Sequence, residues 1–244
     1  LSIGVCCIIF QRHEVMNMDI SMRAIAHIQS EFPTKFGVPR QSGLVPSLES
    51  TVVFTPEFRN SDALRGIEGF SHLWLIWVFD RSARETWSPT VRPPRLGGNQ
   101  RMGIFATRSP FRPNPIGLSC VELAGIETTP TWGTVLRVRG ADLADGSPIL
   151  DIKPYIPYAD SHPGALEGFT SVPAEALEVV IPPDLLQQIP SQRLEALRGV
   201  LAQDPRPRYQ EDPQRVYGFG FAGMEIKFSV SGQRLTVLAI NSSR

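Results

Sequence analysis

In Leu118-Ser-Cys-Val-Glu-Leu-Ala-Gly-Ile126 and in Thr134-Val-Leu-Arg-Val-Arg139, the side chains alternate with a period of two residues. This period places successive side chains on opposite faces of an extended chain, so both runs are typical of half-buried β-strands. The second run is the more regular of the two. Together they predict β structure at the centre of the chain.

Further strands are predicted on both sides of this centre. Residues 70–79 form a continuous apolar run, which indicates a strand buried on both faces. Residues 51–55 are rich in β-branched side chains, a short strand over residues 149–155 is ended by Pro154, and residues 22–28 are the first candidate strand. About six or seven short strands with almost no helix favour a β-barrel or sandwich over a βαβ sheet.

The pattern changes after a linker over residues 156–172 that is rich in Pro, Gly and Ser. Apolar residues between 191 and 203 recur at helical spacing, and three strands are predicted near 216–221, 224–230 and 234–240. We therefore predict a mainly β protein in three parts. An N-terminal extension covers residues 1–17, a β-barrel or sandwich covers 18–160 and a small α+β domain covers 173–244.

A proline-rich segment precedes the central strands, Arg101-Met-Gly-Ile-Phe-Ala-Thr-Arg-Ser-Pro-Phe-Arg-Pro-Asn-Pro-Ile-Gly-Leu-Ser119. Its prolines remove backbone donors and fix φ, which excludes a helix. We predict a strand that ends in a stiff loop presenting Arg108, Arg112 and Asn114. Fixed geometry lowers the entropic cost of binding. The alternative is a loop with solvated arginines.

The same region carries a local excess of positive charge. The whole chain has 24 basic and 24 acidic residues, yet residues 86–120 contain no Asp, Glu or Lys. This segment holds five arginines, Arg92, Arg95, Arg101, Arg108 and Arg112. Arginines interleaved with Trp87 and Phe105 suggest a nucleic-acid or nucleotide surface. The alternative is that acids elsewhere in the chain pair with them.

Composition narrows the class of protein. No apolar run approaches the roughly 20 residues of a membrane span, and the apolar start lacks the basic region of a secretory signal. Three cysteines, two of them adjacent, form no disulfide framework, so we expect a cytoplasmic protein. No spacing suggests a metal site. The Gly-x-Gly-x-x-Gly pattern at 218–223 precedes a predicted strand rather than a helix, so it is not a dinucleotide fingerprint.

Six motifs occur in a recognisable order: Pro39-Arg-Gln41, Gly69-Phe-Ser-His-Leu-Trp74, Arg92-Pro-Pro-Arg-Leu-Gly-Gly98, Gly103 to Gly117, Asp142-Leu-Ala-Asp-Gly146 and Asp151-Ile-Lys-Pro-Tyr155. Together they closely resemble the TsaA/YaeB-like family, the TrmO tRNA methyltransferases. The resemblance runs from about residue 18 to the C-terminus. The segment Ala202-Gln-Asp-Pro-Arg-Pro207 resembles the C-terminal module of bacterial members.

The resemblance implies a β-barrel that binds S-adenosylmethionine without a Rossmann fold. Members methylate N6 of N6-threonylcarbamoyladenosine at tRNA position 37, giving m6t6A, and form homodimers with the cofactor near the subunit interface. The expected partners are therefore a tRNA anticodon loop and a second copy of the chain, with no membrane and no metal.

The matching motifs also imply site residues. Those expected to bind the cofactor are Pro39, Arg40, Gln41, His72, Leu73, Arg108, Cys120, Leu143, Ala144, Asp145 and Gly146. The catalytic candidates are Arg112, Asn114 and Asp145, and the candidate RNA contacts are Arg92, Arg95, Arg206 and Arg208. We hypothesise that Arg112 and Asn114 hold the threonylcarbamoyl carboxylate or orient the base. Removal of residues 173–244 is expected to weaken tRNA binding more than cofactor binding.

Two other functions remain open from the residues alone. One is a non-catalytic barrel that binds RNA or senses S-adenosylmethionine, which would bind the cofactor without transferring its methyl group. The other is a methyltransferase acting on a small nucleotide, which would not need the C-terminal arginines.

Overall fold

The computed structural model describes residues 19–82, 86–171, 175–206, 212 and 214–242. The predicted extension over residues 1–17 lies outside these ranges. Within them, no helix has the length and apolar character that crossing a membrane requires.

Strands account for most of the regular structure, which confirms the mainly β class. They are β1 (Ala26–Gln29), β2 (Glu49–Phe54), β3 (His72–Val78), β4 (Thr90–Val91), β5 (Met102–Gly103), β6 (Ile116–Thr129), β7 (Gly133–Arg139), β8 (Pro148–Pro154), β9 (Glu178–Val180), β10 (Tyr217–Phe221), β11 (Met224–Ser231) and β12 (Arg234–Ser242). The α-helices are α1 (Pro157–Asp160), α2 (Pro183–Leu186) and α3 (Ser191–Ala202). The first strand begins at Ala26, later than predicted, because residues 21–24 are exposed.

Six strands close into a barrel in the order β1-β2-β7-β6-β3-β8, and every neighbouring pair is antiparallel. Closure leaves no unpaired sheet edge, because β8 pairs with β1. The two alternating runs of the central sequence become β6 and β7. They pair from Glu122 with Arg139 to Thr129 with Gly133.

Strand β3 corrects one prediction. Its apolar run indicated burial on both faces, but Leu73, Leu75 and Trp77 are buried while the residues between them are partly exposed. The barrel interior takes one face, and the other face carries Trp74 and Ile76. A continuous apolar run does not distinguish these cases, because a barrel exterior can also be covered by loops or a partner.

The C-terminal residues form a second sheet in the order β10-β11-β12-β9, with β9 parallel to β12. Helix α3 buries Leu197, Val200 and Leu201 in the core of this sheet. The α+β character and helical spacing predicted for this region are thereby observed. The Gly-x-Gly-x-x-Gly pattern lies in β10 and the turn into β11, in agreement with its rejection as a dinucleotide site.

The segment that follows β1 joins the two cores. Phe32, Val45 and Leu48 are buried with the C-terminal residues, not with the barrel interior. The rings of Phe32 and Phe221 lie 5.4 Å apart between centroids, and the Ala222 N–H donates to the Glu31 carbonyl at 2.9 Å. Residues 31–48 are therefore held between the barrel and the C-terminal sheet.

Candidate active site

The proline-rich loop is held in shape by its own hydrogen bonds. The Thr107 hydroxyl donates to the Ile104 carbonyl at 2.9 Å, and the Arg112 guanidinium donates to the Thr107 carbonyl at 2.7 Å. The Phe79 N–H donates to the Pro115 carbonyl at 2.8 Å, which fixes the end of the loop to β3. These contacts agree with the predicted stiffness. A short 3₁₀ turn, Ile104–Ala106, stands where a strand was expected.

Arg108 contacts the Pro39-Arg-Gln41 motif, called the Pro39 bend below. Its guanidinium donates to the side-chain carbonyl oxygen of Gln41. The next residue, Ser42, accepts a hydrogen bond from the Cys120 N–H at 3.1 Å. Two predicted motifs and strand β6 therefore converge on one outer face of the barrel, where the exposed Arg108 can hold an anionic group.

Asp142 lies beneath this junction. Its carboxylate accepts a hydrogen bond from the Ser119 hydroxyl, which in turn accepts one from Trp77 Nε1 at 2.9 Å. Burial raises the pKa of Asp142 above its ordinary value, while the Ser119 hydrogen bond and the Arg108 charge oppose this rise. This half-buried carboxylate links the barrel interior to the Arg108 guanidinium.

Asp142→Asn is expected to change how stability depends on pH. Because the pKa of Asp142 is raised on folding, the folded protein binds its proton more tightly than the unfolded chain does. The contribution of Asp142 to folding therefore falls as pH rises from about 4, the ordinary value of an aspartate, through the raised pKa.

When unfolding by urea is measured across pH, the folding stability of Asp142→Asn should lack the decline that Asp142 causes. The variant should therefore become more stable relative to the wild type as pH rises. Asp151→Asn is the control, because Asp151 is a surface carboxylate paired with Lys153 at 2.9 Å. Parallel pH profiles for the wild type and Asp142→Asn would contradict the assignment.

A row of aromatic rings lies beside Cys120. Strand pairing places Trp74 next to Cys120 and His72 next to Glu122. The Tyr155 ring lies 5.8 Å from the Trp74 ring and 6.2 Å from the His72 ring, between centroids. The row presents flat surfaces on which a purine can stack or over which a cation can sit.

Asp160 adds a negative charge to this row. Its carboxylate accepts hydrogen bonds from the Ile156 N–H at 2.8 Å and from Trp74 Nε1 at 3.1 Å. Both hydrogen bonds lower the pKa of Asp160, the Ile156 bond most. Burial raises the pKa of the Cys120 thiol, and the nearby Asp160 charge raises it further. These effects favour the neutral form of the Cys120 thiol.

Several residues that were predicted to bind the cofactor have buried side chains. Leu73 and Leu143 are fully buried in the barrel core, and Ala144 and Pro39 are also buried. These four side chains are therefore packed inside the protein, and cofactor binding by these residues stays a prediction.

The Asp145–Gly146 turn is engaged with the protein itself. The Asp145 carboxylate accepts from the Ser30 N–H at 3.0 Å, and its N–H donates to the Phe32 carbonyl at 2.8 Å. Its carbonyl accepts from Arg81, and the Gly146 N–H donates to the Ile28 carbonyl at 2.8 Å. These contacts favour a positioning role for Asp145 over the predicted catalytic one.

Arg40 and Arg206 both make contacts within the protein at the start of the segment that follows α3. The Arg40 guanidinium points to the Asp204 and Arg206 carbonyls, at 3.4 and 3.5 Å. Arg206 forms a two-point salt bridge with Asp204, at 2.8 and 3.0 Å, and its side chain is only 15% exposed. Asp204 therefore holds this guanidinium in place, and an RNA contact by Arg206 stays a prediction. Arg40 connects the Pro39-Arg-Gln41 motif to the C-terminal domain.

The other predicted residues differ in exposure. Asn114 and Arg92 are exposed. Arg112 is half-buried and braces the loop, and Arg95 is half-buried and donates to the Thr170 carbonyl at 3.3 Å. Arg208 lies outside the described residues.

Within the described ranges, no group of three or more His, Cys, Asp or Glu could hold a metal ion.

The structure also adds site residues that received no role from the sequence, namely Ser42, Trp74, Asp142, Tyr155 and Asp160. Trp74, Asp142 and Tyr155 lie in the quoted motifs, which was a usable signal. Ser42 directly follows one of these motifs. Asp160 had no such signal, because it lies in the predicted linker and reaches Trp74 only from the end of helix α1.

Comparison with known proteins gives consistent results over nearly the whole chain. The tRNA-methyltransferase O N-terminal domain matches residues 27–161, and the TrmO C-terminal domain matches residues 174–243. A tRNA (adenine(37)-N6)-methyltransferase of Escherichia coli K12 is 41% identical over 225 residues, covering 88% of this chain and 95% of the relative. A Pseudomonas aeruginosa relative with the provisional name S-adenosylmethionine-dependent methyltransferase RcsF is 42% identical, covering 82% and 88%.

The crystal structure of TrmO from Pseudomonas aeruginosa resembles this fold with a TM-score of 0.76 and 33% identity, covering 94% of this chain and all of that one. The family resemblance of the motifs is therefore confirmed independently by sequence and by fold. The two domain matches together span most of the chain, which belongs to the tRNA-methyltransferase O family.

Proposed function

We propose that this chain transfers the methyl group of S-adenosylmethionine to N6 of N6-threonylcarbamoyladenosine at tRNA position 37, giving m6t6A. The observation that carries the proposal is the convergence of Arg108, Asp142 and the Trp74–Tyr155 row on one face of the barrel. The names of the E. coli and P. aeruginosa relatives support the reaction class and the cofactor. The threonylcarbamoyl group makes the proposed substrate more specific than the names of these relatives do.

The donor groups at the site fit this cofactor. S-adenosylmethionine supplies an electrophilic methyl group on a sulfonium, and it also carries a carboxylate and a flat adenine. Arg108 is an exposed cation suited to the carboxylate. The ionised Asp160 and the Trp74 and Tyr155 rings suit a cation or a purine. Gln41, His72 and Cys120 complete the walls.

The protein's contribution to the reaction is mainly orientation. In this transfer the bond from N6 to the methyl carbon would form as the bond from that carbon to the sulfonium sulfur breaks, with S-adenosylhomocysteine as the leaving group. N6 also loses its proton, which the carbamoyl substituent makes more acidic than in adenosine. A modest general base, or water, then suffices. Arg112 holds the Thr107–Pro115 loop in shape, and the exposed Asn114 amide can hold the threonyl carboxylate or orient the base. Fixed placement of this kind supplies most of the acceleration.

The same proposal includes the partners. The substrate nucleotide lies in an unpaired anticodon loop, where bases can be splayed and read individually. Arg92 and Arg95 are proposed backbone contacts. Ile116 and Leu118 are 38% and 55% exposed on the outer face of β6, next to Cys120, which supports a second copy packing near the site. With tRNA as substrate, we place the activity in the cytoplasm.

The direct test uses S-adenosylmethionine labelled in its methyl group. We expect label to enter a tRNA that has been threonylcarbamoylated beforehand, and nucleoside digestion should yield m6t6A. The same tRNA without threonylcarbamoylation is the matched control. Equal labelling of both would refute the threonylcarbamoyl requirement, and cofactor binding without any transfer would favour the non-catalytic barrel.

A further inference from the structure

Two large aromatic side chains are exposed together outside the site described above. Trp87 is 52% exposed and Phe105 is 74% exposed. Their ring centroids lie 6.3 Å apart, with an angle of 33° between the ring planes. An exposed pair of aromatic rings in contact forms a continuous apolar surface, and such surfaces commonly mark binding sites.

The backbone under this pair is well held. Strands β4 and β5 pair Thr90 with Gly103 and Val91 with Met102. The Ile104 N–H donates to the Pro89 carbonyl at 2.9 Å, and the Ile104 side chain is buried. The two rings therefore extend from a fixed ribbon, so that binding a flat ligand requires little ordering of the chain.

The charge around the pair selects the ligand. The surrounding segment, residues 86–120, has no acidic residue and five arginines. Arg101 is exposed and donates to the Thr90 hydroxyl on the same ribbon at 3.4 Å. Arginines beside exposed aromatic rings match a polyanion with flat bases better than they match a protein surface.

The position relative to Arg108 is also suitable. Phe105 precedes Arg108 by three residues, which places their Cα atoms within about 11 Å even in an extended chain. An RNA loop that brings one nucleotide to the candidate active site beside Arg108 therefore has neighbouring nucleotides within reach of the aromatic pair.

We propose that Trp87 and Phe105 form a stacking platform for an unpaired RNA base next to the nucleotide that is methylated. The proposal rests on the proposed function for the identity of the RNA. It assigns Trp87 and Phe105 a role in substrate binding and none in cofactor binding.

The test measures binding of an unmodified tRNA transcript by Trp87→Ala, Phe105→Ala and the conservative Trp87→Phe. Loss of base stacking should weaken binding by about tenfold for each alanine variant, and Trp87→Phe should retain most of the affinity. The slope of log affinity against log salt should not change, because no phosphate contact is removed. Leu166→Ala, which removes an exposed apolar residue of the linker that has no assigned role, is the control and should bind normally.

Two further measurements keep the outcomes separate. Calorimetry with S-adenosylmethionine should give unchanged affinity for all variants, and light scattering should give an unchanged mass. Unchanged RNA affinity in both alanine variants, or a loss that accompanies a changed oligomeric state, would overturn the platform. If the wild type fails to methylate tRNA while Trp87→Ala still loses RNA affinity, the proposed reaction fails and the platform stands.

Discussion

Arg108→Ala is expected to weaken S-adenosylmethionine binding by roughly 10- to 100-fold, the loss typical of a charge-assisted hydrogen bond. Arg108 is exposed, it lies at the junction of the proline-rich loop and the Pro39 bend, and its charge acts on the half-buried Asp142. The substitution removes the cation proposed for the cofactor carboxylate and leaves Gln41 without its partner. The cofactor affinity of Arg108→Lys should fall between those of the wild type and Arg108→Ala, because lysine keeps the charge but not the planar fork.

Arg101→Ala is the matched control for this experiment. Arg101 is exposed in the same acid-free segment, and its guanidinium donates to the Thr90 hydroxyl on the β4–β5 ribbon. Isothermal calorimetry should show a cofactor affinity close to that of the wild type for Arg101→Ala. Equal affinities for the Arg101 and Arg108 variants would remove Arg108 from the cofactor site.

Gly37→Ala is expected to destabilise the protein by about 2–5 kcal/mol, through backbone strain and overpacking. Gly37 has φ of +89°, which favours glycine. A Cβ atom at this position would also lie 2.3 Å from a ring carbon of Phe219, which is buried in the C-terminal core. The same change should weaken cofactor binding, because the displaced segment carries Gln41 and Ser42.

Gly43→Ala separates the two causes. Gly43 also has positive φ, at +78°, but a Cβ atom there would meet nothing within 4 Å. Urea unfolding should therefore show only about 1–2 kcal/mol of destabilisation, from backbone strain alone. In a Phe219→Ala background, Gly37→Ala should cost no more than Gly43→Ala does. An undiminished cost in that background would exclude contact with Phe219 as the cause.

The contact of the Gly37 segment with Phe219 bears on the roles expected for the two domains. The sequence predicted that removal of residues 173–244 would weaken tRNA binding more than cofactor binding. The structure buries Phe32, Val45 and Leu48 against the C-terminal sheet and joins Arg40 to the Asp204 and Arg206 carbonyls. The C-terminal domain therefore supports the segment that carries the Pro39 bend, and its removal should affect cofactor binding as well.

Local patterns determined much of the architecture. Period-two alternation located β6 and β7, and helical spacing located α3, because these signals arise from a single segment facing one core. Prolines and glycine turns marked the stiff loop and the turn before β8. The motif order indicated the family and several residues of the candidate site.

Only the tertiary structure decided which of those residues face one another. Arg206 and Arg208 were equivalent in sequence, yet the fold pairs Arg206 with Asp204. Asp160 lies in the predicted linker, and the structure places it at the end of α1, against Trp74. Long-range contacts of this kind depend on barrel closure and on packing between cores, which join residues far apart in the chain. A polar side chain carries no local periodicity that reveals its distant partner.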